Sequence, residues 1–271
     1  MARADASYEI IAHRGYSARA PENTLAAMEA AIRAGVDAVE WDVHVASCGT
    51  PVLFHDPQLG RTTNGVGPLR RRTFGQLKAL DAGSWFSGTF AGERIPSLAD
   101  ALEAVKGRVA RVYCEIKGYR ELEDLDRMLT VTRSLDMLDS TVFISLDWRT
   151  VDRVAGQHPT VKVGYIVDRH ELFDEALGKA HGRPGAILDL DHRLVLEDPF
   201  LAARSRARGV EAAVWTVNDA RTATALAQAG VTRFTTDEVE TLLAWRIDER
   251  AGGPREPPLP GDAPSPSSPP R

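Results

Sequence analysis

The sequence predicts an α/β fold: a closed (β/α)8 (TIM) barrel with a small insertion after the second strand. Three observations predict it. Short β-type apolar runs alternate with helical segments along most of the chain, which argues for a parallel sheet with helices outside. The strand–helix units number eight, and 271 residues suit a single barrel of typically ~250. An open doubly wound sheet would usually carry a Gly-rich phosphate turn after its first strand, and this chain has none there.

Glu9-Ile10-Ile11-Ala12 is the first strand, ending at His13-Arg14-Gly15. Pro21-Glu22-Asn23-Thr24 opens a helix, with Asn23 as N-cap, Leu25, Met28, Ala31 and Ile32 at helical spacing, and Gly35 as the stop. Val36 to Val43 is the second strand; residues 44–50 turn the chain, and Pro51-Val52-Leu53-Phe54 returns it to His55. Residues 57–96 break the rhythm with Asn64-Gly65, Gly67-Pro68, Gly83, Gly88, Gly92 and Pro96, interleaved with Leu77, Leu80, Trp85 and Phe86. This is an excursion with packing of its own. Helix 97–106 then precedes strand 109–116, helix 121–136 precedes strand 141–145, and helix 148–157 precedes strand 161–166. Helix 170–180 precedes strand 185–189, helix 198–208 precedes strand 211–216, helix 219–229 precedes strand 231–235, and a last helix covers 238–249.

Residues 1–249 are therefore expected to form one barrel domain with 57–96 as an insertion within it. Residues 250–271 are expected to be a disordered Pro-rich tail, because half of the sixteen prolines lie between 254 and 270 with almost nothing to bury. The formal net charge of −5 gives no sign of nucleic-acid binding. The run Arg70-Arg71-Arg72 reads as a solvated loop. Two cysteines, Cys48 and Cys114, make no disulfide framework, and Cys114 alternates with Val112 and Ile116 as a packing residue. MARADAS has no basic-then-apolar signal region, and no apolar stretch nears the ~20 residues of a membrane span. The expectation is a cytoplasmic protein with no stable membrane insertion.

Strand alternation sorts the chemistry. In the second strand Val39, Trp41 and Val43 share one face and Glu40 and Asp42 the other. In the third, Val112, Cys114 and Ile116 face out while Tyr113, Glu115 and Lys117 face in. Glu40 or Asp42 alone would read as a salt-bridge residue. Three carboxylates converging on one mouth repel each other unless a cation neutralises them. All-oxygen ligands suit Mg²⁺ or Ca²⁺ rather than zinc. His13 and His55 have the right chemistry for a general acid and a general base. Arg14 offers a planar fork to phosphate oxygens and Lys117 a point charge.

H-R-G at 13–15, P-E-N-T at 21–24, E-x-D-V at 40–43, H-D at 55–56 and E-I-K at 115–117 follow in this order. Together they resemble the glycerophosphodiester phosphodiesterase family, and the segment after H-D is similar to that family's extra segment. The likeness is strong over 9–117 and extends to about 245 through Ser145 and Val214-Trp215-Thr216-Val217-Asn218. The resemblance implies a metal-dependent phosphodiesterase that releases an alcohol and sn-glycerol 3-phosphate from a small-molecule glycerophosphodiester. It implies Glu40, Asp42 and Glu115 as metal ligands, His13 and His55 as the acid–base pair, and Arg14 and Lys117 as phosphate contacts. Trp215 matches a residue that packs on substrate, though a core tryptophan would look the same. Glu22 and Asn23 match a motif that shapes the mouth. The attacking group is the substrate's 2-hydroxyl, through a cyclic phosphate, or water.

The chain departs from the family pattern twice. Cys48-Gly49 stands where Asp-Gly is usual, and Thr235-Thr236-Asp237-Glu238-Val239 lacks the usual proline, which bears on the final loop. His44 reads as a loop histidine, and His158, His170, His181 and His192 read as surface residues. The nearest rival activity is a lysophospholipase D or sphingomyelinase D-like one, which needs an apolar surface such as Leu77, Leu80, Trp85, Phe86 and Phe90 would supply if they are not simply the insertion's core. A barrel without activity, serving as a scaffold, is disfavoured by the full set of site residues.

Overall fold

The computed structural model describes residues 8–157 and 160–250. The segment 1–7, His158 and all of the expected tail beyond Arg250 lie outside the described residues.

The chain begins with β1 (Glu9–Ala12), α1 (Leu25–Ala34), β2 (Ala38–Val45) and β3 (Pro51–Leu53). The short α2 (Phe74–Lys78) and three single 3-10 turns occupy the insertion. Then come α3 (Leu98–Val105), β4 (Arg111–Ile116), α4 (Leu122–Ser134), β5 (Thr141–Ser145) and α5 (Trp148–Gln157). They are followed by β6 (Lys162–Val167), α6 (Phe173–Ala180), β7 (Ile187–Asp191), α7 (His192–Glu197) and α8 (Phe200–Ala207). The chain continues through β8 (Glu211–Trp215), α9 (Ala220–Gln228), β9 (Arg233–Thr236) and α10 (Val239–Arg250).

The strands pair in parallel in the order β1-β2-β4-β5-β6-β7-β8-β9, and β9 pairs back with β1. This closes the expected eight-stranded TIM barrel. Outside the ring, β3 runs antiparallel to the end of β2, with Val43 opposite Leu53 and Val45 opposite Pro51. That pairing keeps His44 in the extended strand, where the sequence suggested a turn.

Alternation along the strands builds two cores. Val39, Trp41, Val43, Val112, Cys114 and Ile116 pack outward in the large cluster that the helices cover. Ile11, Ala38, Tyr113, Val142, Ile144, Ile166, Ile187 and Ala213 fill the barrel interior. Burying each such Val or Ile contributes about 1.5–3 kcal/mol. A third cluster lies under the insertion: Ala46, Val52, Phe54, Leu59, Leu69, Leu77, Ala82 and Ile95. Leu77 is thus insertion core and Leu80 packs against that core, whereas Trp85, Phe86 and Phe90 stack edge-on at 5.7 Å spacings, with Trp85 exposed. Among the described residues no helix is long and apolar enough to cross a membrane.

Three local expectations shift. The N-cap of α1 is Thr24, whose side chain accepts from Ala27 N, because Asn23 adopts φ +58° and turns its amide elsewhere. The strand expected at 185–189 runs over Ile187–Asp191, because Asp191 itself caps α7 by accepting from Arg193 N. The helix expected at 198–208 is α8, and a further short helix that the sequence did not suggest, α7, precedes it, the two being separated at Asp198-Pro199.

Candidate active site

β1 delivers His13 to the carboxyl end of the barrel. The backbone then turns sharply, with Arg14 at φ +55° and Gly15 at φ +77°. Gly15 N donates to Glu40 O at 3.2 Å and Arg14 N donates to Glu40 Oε2 at 2.9 Å, so the turn itself clamps the first carboxylate. A Cβ on Gly15 would sit 2.7 Å from the Cβ and carbonyl carbon of Ala27 in α1. Gly15→Ala is therefore expected to cost about 2–4 kcal/mol, from the left-handed φ and the overpacking together, read as a lowered midpoint in urea unfolding.

Glu40 and Asp42 point inward from β2 and Glu115 from β4, with Asp42 and Glu115 in register. One oxygen from each lies within 4.8 Å of the others. Burial pushes the Glu40 carboxyl well above the usual carboxylate range, and the charges of Asp42 and Glu115 push it further. Burial and Asp42 likewise raise Glu115, with Lys117 opposing. Asp42 is buried too, but Lys117, Arg14, His55 and the Asn23 amide outweigh burial and hold it low. Asn23 Nδ2 donates to Asp42 Oδ2 at 2.8 Å, and Asp42 N donates to Asn23 Oδ1 at 3.1 Å. The amide that does not cap α1 instead fixes this carboxylate.

Two cations stand beside the three acids. Lys117 Nζ is 2.7 Å from Glu115 Oε1 and 3.3 Å from Asp42 Oδ1. Arg14 Nε is 3.2 Å from Asp42 Oδ2, and its NH1 donates to Glu22 Oε1 at 2.9 Å. The contacts of Asp42 with Lys117 and with Arg14 Nε are ion pairs without hydrogen-bond alignment, so Asp42 Oδ1 and Arg14 Nε are both buried and unbonded. Glu40 Oε1 is also buried without a hydrogen bond. Unbonded carboxylate oxygens, aimed together and all hard donors, fit a divalent cation. Glu40, Asp42 and Glu115 are the residues that would hold it.

Each histidine is held by its own aspartate. His13 Nδ1 donates to Asp237 Oδ1 at 2.7 Å, and His13 Nε2 lies 4.0 Å from Glu40 Oε2. His55 Nδ1 donates to Asp56 Oδ1 at 2.6 Å. Such bonds fix the ring and leave Nε2 for proton transfer. Asp237 also accepts from Ser17 Oγ at 2.8 Å and Asn218 Nδ2 at 2.9 Å. Burial works against its ionisation, but His13, Asn218 and Ser17 hold its carboxyl well below the usual range. Asp56 is held low chiefly by Arg61, which joins the insertion to both Asp56 and Glu22 through four hydrogen bonds. Burial lowers His55, and Asp42 and Asp56 only partly restore it.

All eight residues singled out by sequence lie at this end of the barrel. Trp215 ends β8, half-buried against the interior cluster, and its Nε1 donates to Asp189 O at 3.2 Å. Three residues with functional contacts were missed. From sequence, Asp56 is only the second letter of the H-D motif, and Asp237 only marks a departure in the final loop. Asp189 follows Ile187 on the inward face of β7, is 5% exposed, and has Oδ1 unbonded. Burial pushes its carboxyl up to about 8, with Glu115 adding and Lys117 opposing. His170 and His181 are exposed, as expected. His192 is instead half-buried, because it begins α7 beside the barrel mouth and donates from Nδ1 to Trp215 O at 3.1 Å.

The model of the glycerophosphoryl diester phosphodiesterase family matches residues 13–241. The chain belongs to that family. Membership makes it a phosphoric diester hydrolase acting on glycerophosphodiesters. It is 31% identical to a glycerophosphodiester phosphodiesterase of Caldanaerobacter subterraneus over 241 residues, 86% of this chain and 96% of that one. Its fold is similar to an Oleispira antarctica phosphodiesterase solved with its product sn-glycerol-3-phosphate. The TM-score is 0.81 at 29% identity, covering 89% of this chain and 96% of the other. A glycerophosphodiester phosphodiesterase of Agrobacterium tumefaciens gives a TM-score of 0.76 at 28% identity, covering 88% and 99%.

Proposed function

We propose that the chain hydrolyses glycerophosphodiesters to an alcohol and sn-glycerol 3-phosphate, with a divalent cation, Mg²⁺ or Ca²⁺, held by Glu40, Asp42 and Glu115. The carrying observation is the convergence of these three carboxylates, one oxygen of each within 4.8 Å of the others, between two aspartate-bound histidines. The cation supplies positive charge for the phosphoryl oxygens. Arg14 and Lys117, which neutralise the carboxylates here, are placed to turn their donors to the same oxygens as substrate enters. His55, kept neutral by burial, takes the proton of the attacking hydroxyl. His13 gives a proton to the departing alkoxide, and Asp237, bonded to its Nδ1, holds the ring for that transfer. Trp215 closes one wall against the substrate. Trapping a cyclic glycerophosphate in a quenched reaction identifies the substrate's 2-hydroxyl as the attacking group; its absence identifies water.

The same proposal covers the rest of the chain. Residues 1–249 form the catalytic domain with 57–96 as an insertion, 250–271 are an appended tail, and the enzyme works in the cytoplasm. The test is hydrolysis of glycerophosphocholine with the products identified. We expect choline and glycerol 3-phosphate, loss of activity on chelation, and recovery with Mg²⁺ or Ca²⁺. Release of phosphocholine and glycerol, or full activity in chelator, would overturn the reading. Glu40→Gln should weaken the activating cation by about 10-fold or more, measured by titrating the metal into stripped enzyme.

A further inference from the structure

Beside the mouth lies a recess of about 320 Å³ between the insertion and the loops after β2 and β4. Its walls continue directly from site residues. His44 stands two positions beyond Asp42, Pro57 and Gln58 follow His55-Asp56, and Gly118 and Tyr119 follow Lys117. His44 is tied to the site by donating from Nε2 to His55 O at 3.0 Å. The remaining wall is the 3-10 turn Leu69–Arg71, whose Leu69 is buried in the insertion's core. That anchor sets Arg70 and Arg71 at the rim. Both are exposed, and among the described residues neither side chain has a hydrogen bond or ion pair. Arg120, across the recess, is already committed to Asp124 at 2.8 Å and to Ser47 O. Among the described residues no acidic side chain lines the recess, although the whole chain carries −5.

We infer that this recess receives the leaving alcohol, and that Arg70 and Arg71 select glycerophosphodiesters whose alcohol carries a second phosphate. The inference rests on the phosphodiesterase reading above and deepens it. The glycerol half of every such diester is small and uncharged. A local excess of positive charge is therefore read by the other half. Two unpaired guanidiniums offer forked donors that match a phosphate's oxygens. A cationic head such as choline meets only repulsion there. The Arg70-Arg71-Arg72 run, which sequence alone assigns to a solvated loop, thus acquires a function from its position.

The test compares glycerophosphoinositol 4-phosphate, glycerophosphoinositol and glycerophosphocholine as substrates of the whole, metal-loaded enzyme. We expect kcat/KM to fall in that order, with the phosphorylated head favoured over its neutral parent by at least about tenfold, mostly through KM. The preference should shrink as salt rises. In the R70A/R71A double variant the ratio should fall to within about twofold of one, and R70E/R71E should turn the order toward choline. Equal ratios in wild type and both variants, or a wild-type preference for choline, would overturn the inference. Absence of hydrolysis of all three substrates would overturn the phosphodiesterase reading instead, so the two failures are distinct.

Discussion

His55→Ala should lower kcat/KM for glycerophosphocholine by about 10²–10⁴-fold, the usual contribution of one proton-transfer group. His13→Ala should lower it by a similar factor. The two losses should part when the leaving group changes. From a glycerophosphodiester of p-nitrophenol the leaving group departs as a stable phenolate and needs no proton. His13→Ala should recover much of its rate on that substrate, because the missing group is the donor. His55→Ala should stay slow, because the attacking hydroxyl still has to lose its proton. Equal rescue of both variants would refute the division of labour, and an undiminished His55→Ala enzyme would remove the pair altogether. Asp237→Asn is the companion measurement. It keeps the bond to His13 but not the charge, so its loss should fall on the donor step and be relieved by the same nitrophenyl substrate.

Asp189→Asn should stabilise the protein toward alkaline pH, by an amount that grows as pH rises. The Asp189 carboxyl is pushed up to about 8 by burial, against an ordinary value of 3.8. Below about pH 4 both folded and unfolded chains carry this proton, and the site costs nothing. Between 4 and 8 the unfolded chain releases the proton while the folded chain keeps it, so stability falls as pH rises. Above about 8 both have released it and the loss levels off, at up to about 6 kcal/mol. Asparagine removes the titration. The difference in unfolding free energy between variant and wild type should therefore grow from pH 4 to pH 8. A buried amide left short of a partner adds a cost of about 1–3 kcal/mol, but that cost is independent of pH. A flat difference across this range, by urea unfolding in metal-free buffer, would show that Asp189 is ionised in the folded state.

Much of the barrel was legible because its signal is local. Glu40 and Asp42 alternate with Val39, Trp41 and Val43, and the structure places these two sets on opposite faces of one strand. The order of strands and helices needed only such periodicities. Asp237 was not legible as a partner of His13, because 224 positions separate them and only closure of β9 onto β1 brings them together. Asp189 was hidden for the opposite reason: a carboxylate inside an apolar run reads as the end of a strand, and the strand in fact continues to Asp191. Asn23 shows a third limit. Its type and position suit a helix cap, but Thr24 one residue later does that work, and only the tertiary approach of β2 reveals what Asn23 holds.

The four hydrogen bonds of Arg61 bear on how this enzyme can be altered. The excursion after His55 looks like a detachable cassette that could be traded with a relative to change substrate choice. It is not detachable at its first turn. A graft that exchanges 57–96 wholesale also exchanges the guanidinium that steadies Asp56 and Glu22, and so loosens His55 and Arg14 with it. A graft beginning after Arg61 leaves that bracket in place and still moves the Arg70-Arg71 rim. Transplants of the two kinds should separate cleanly: the longer one alters turnover on every substrate, and the shorter one alters which substrate is preferred.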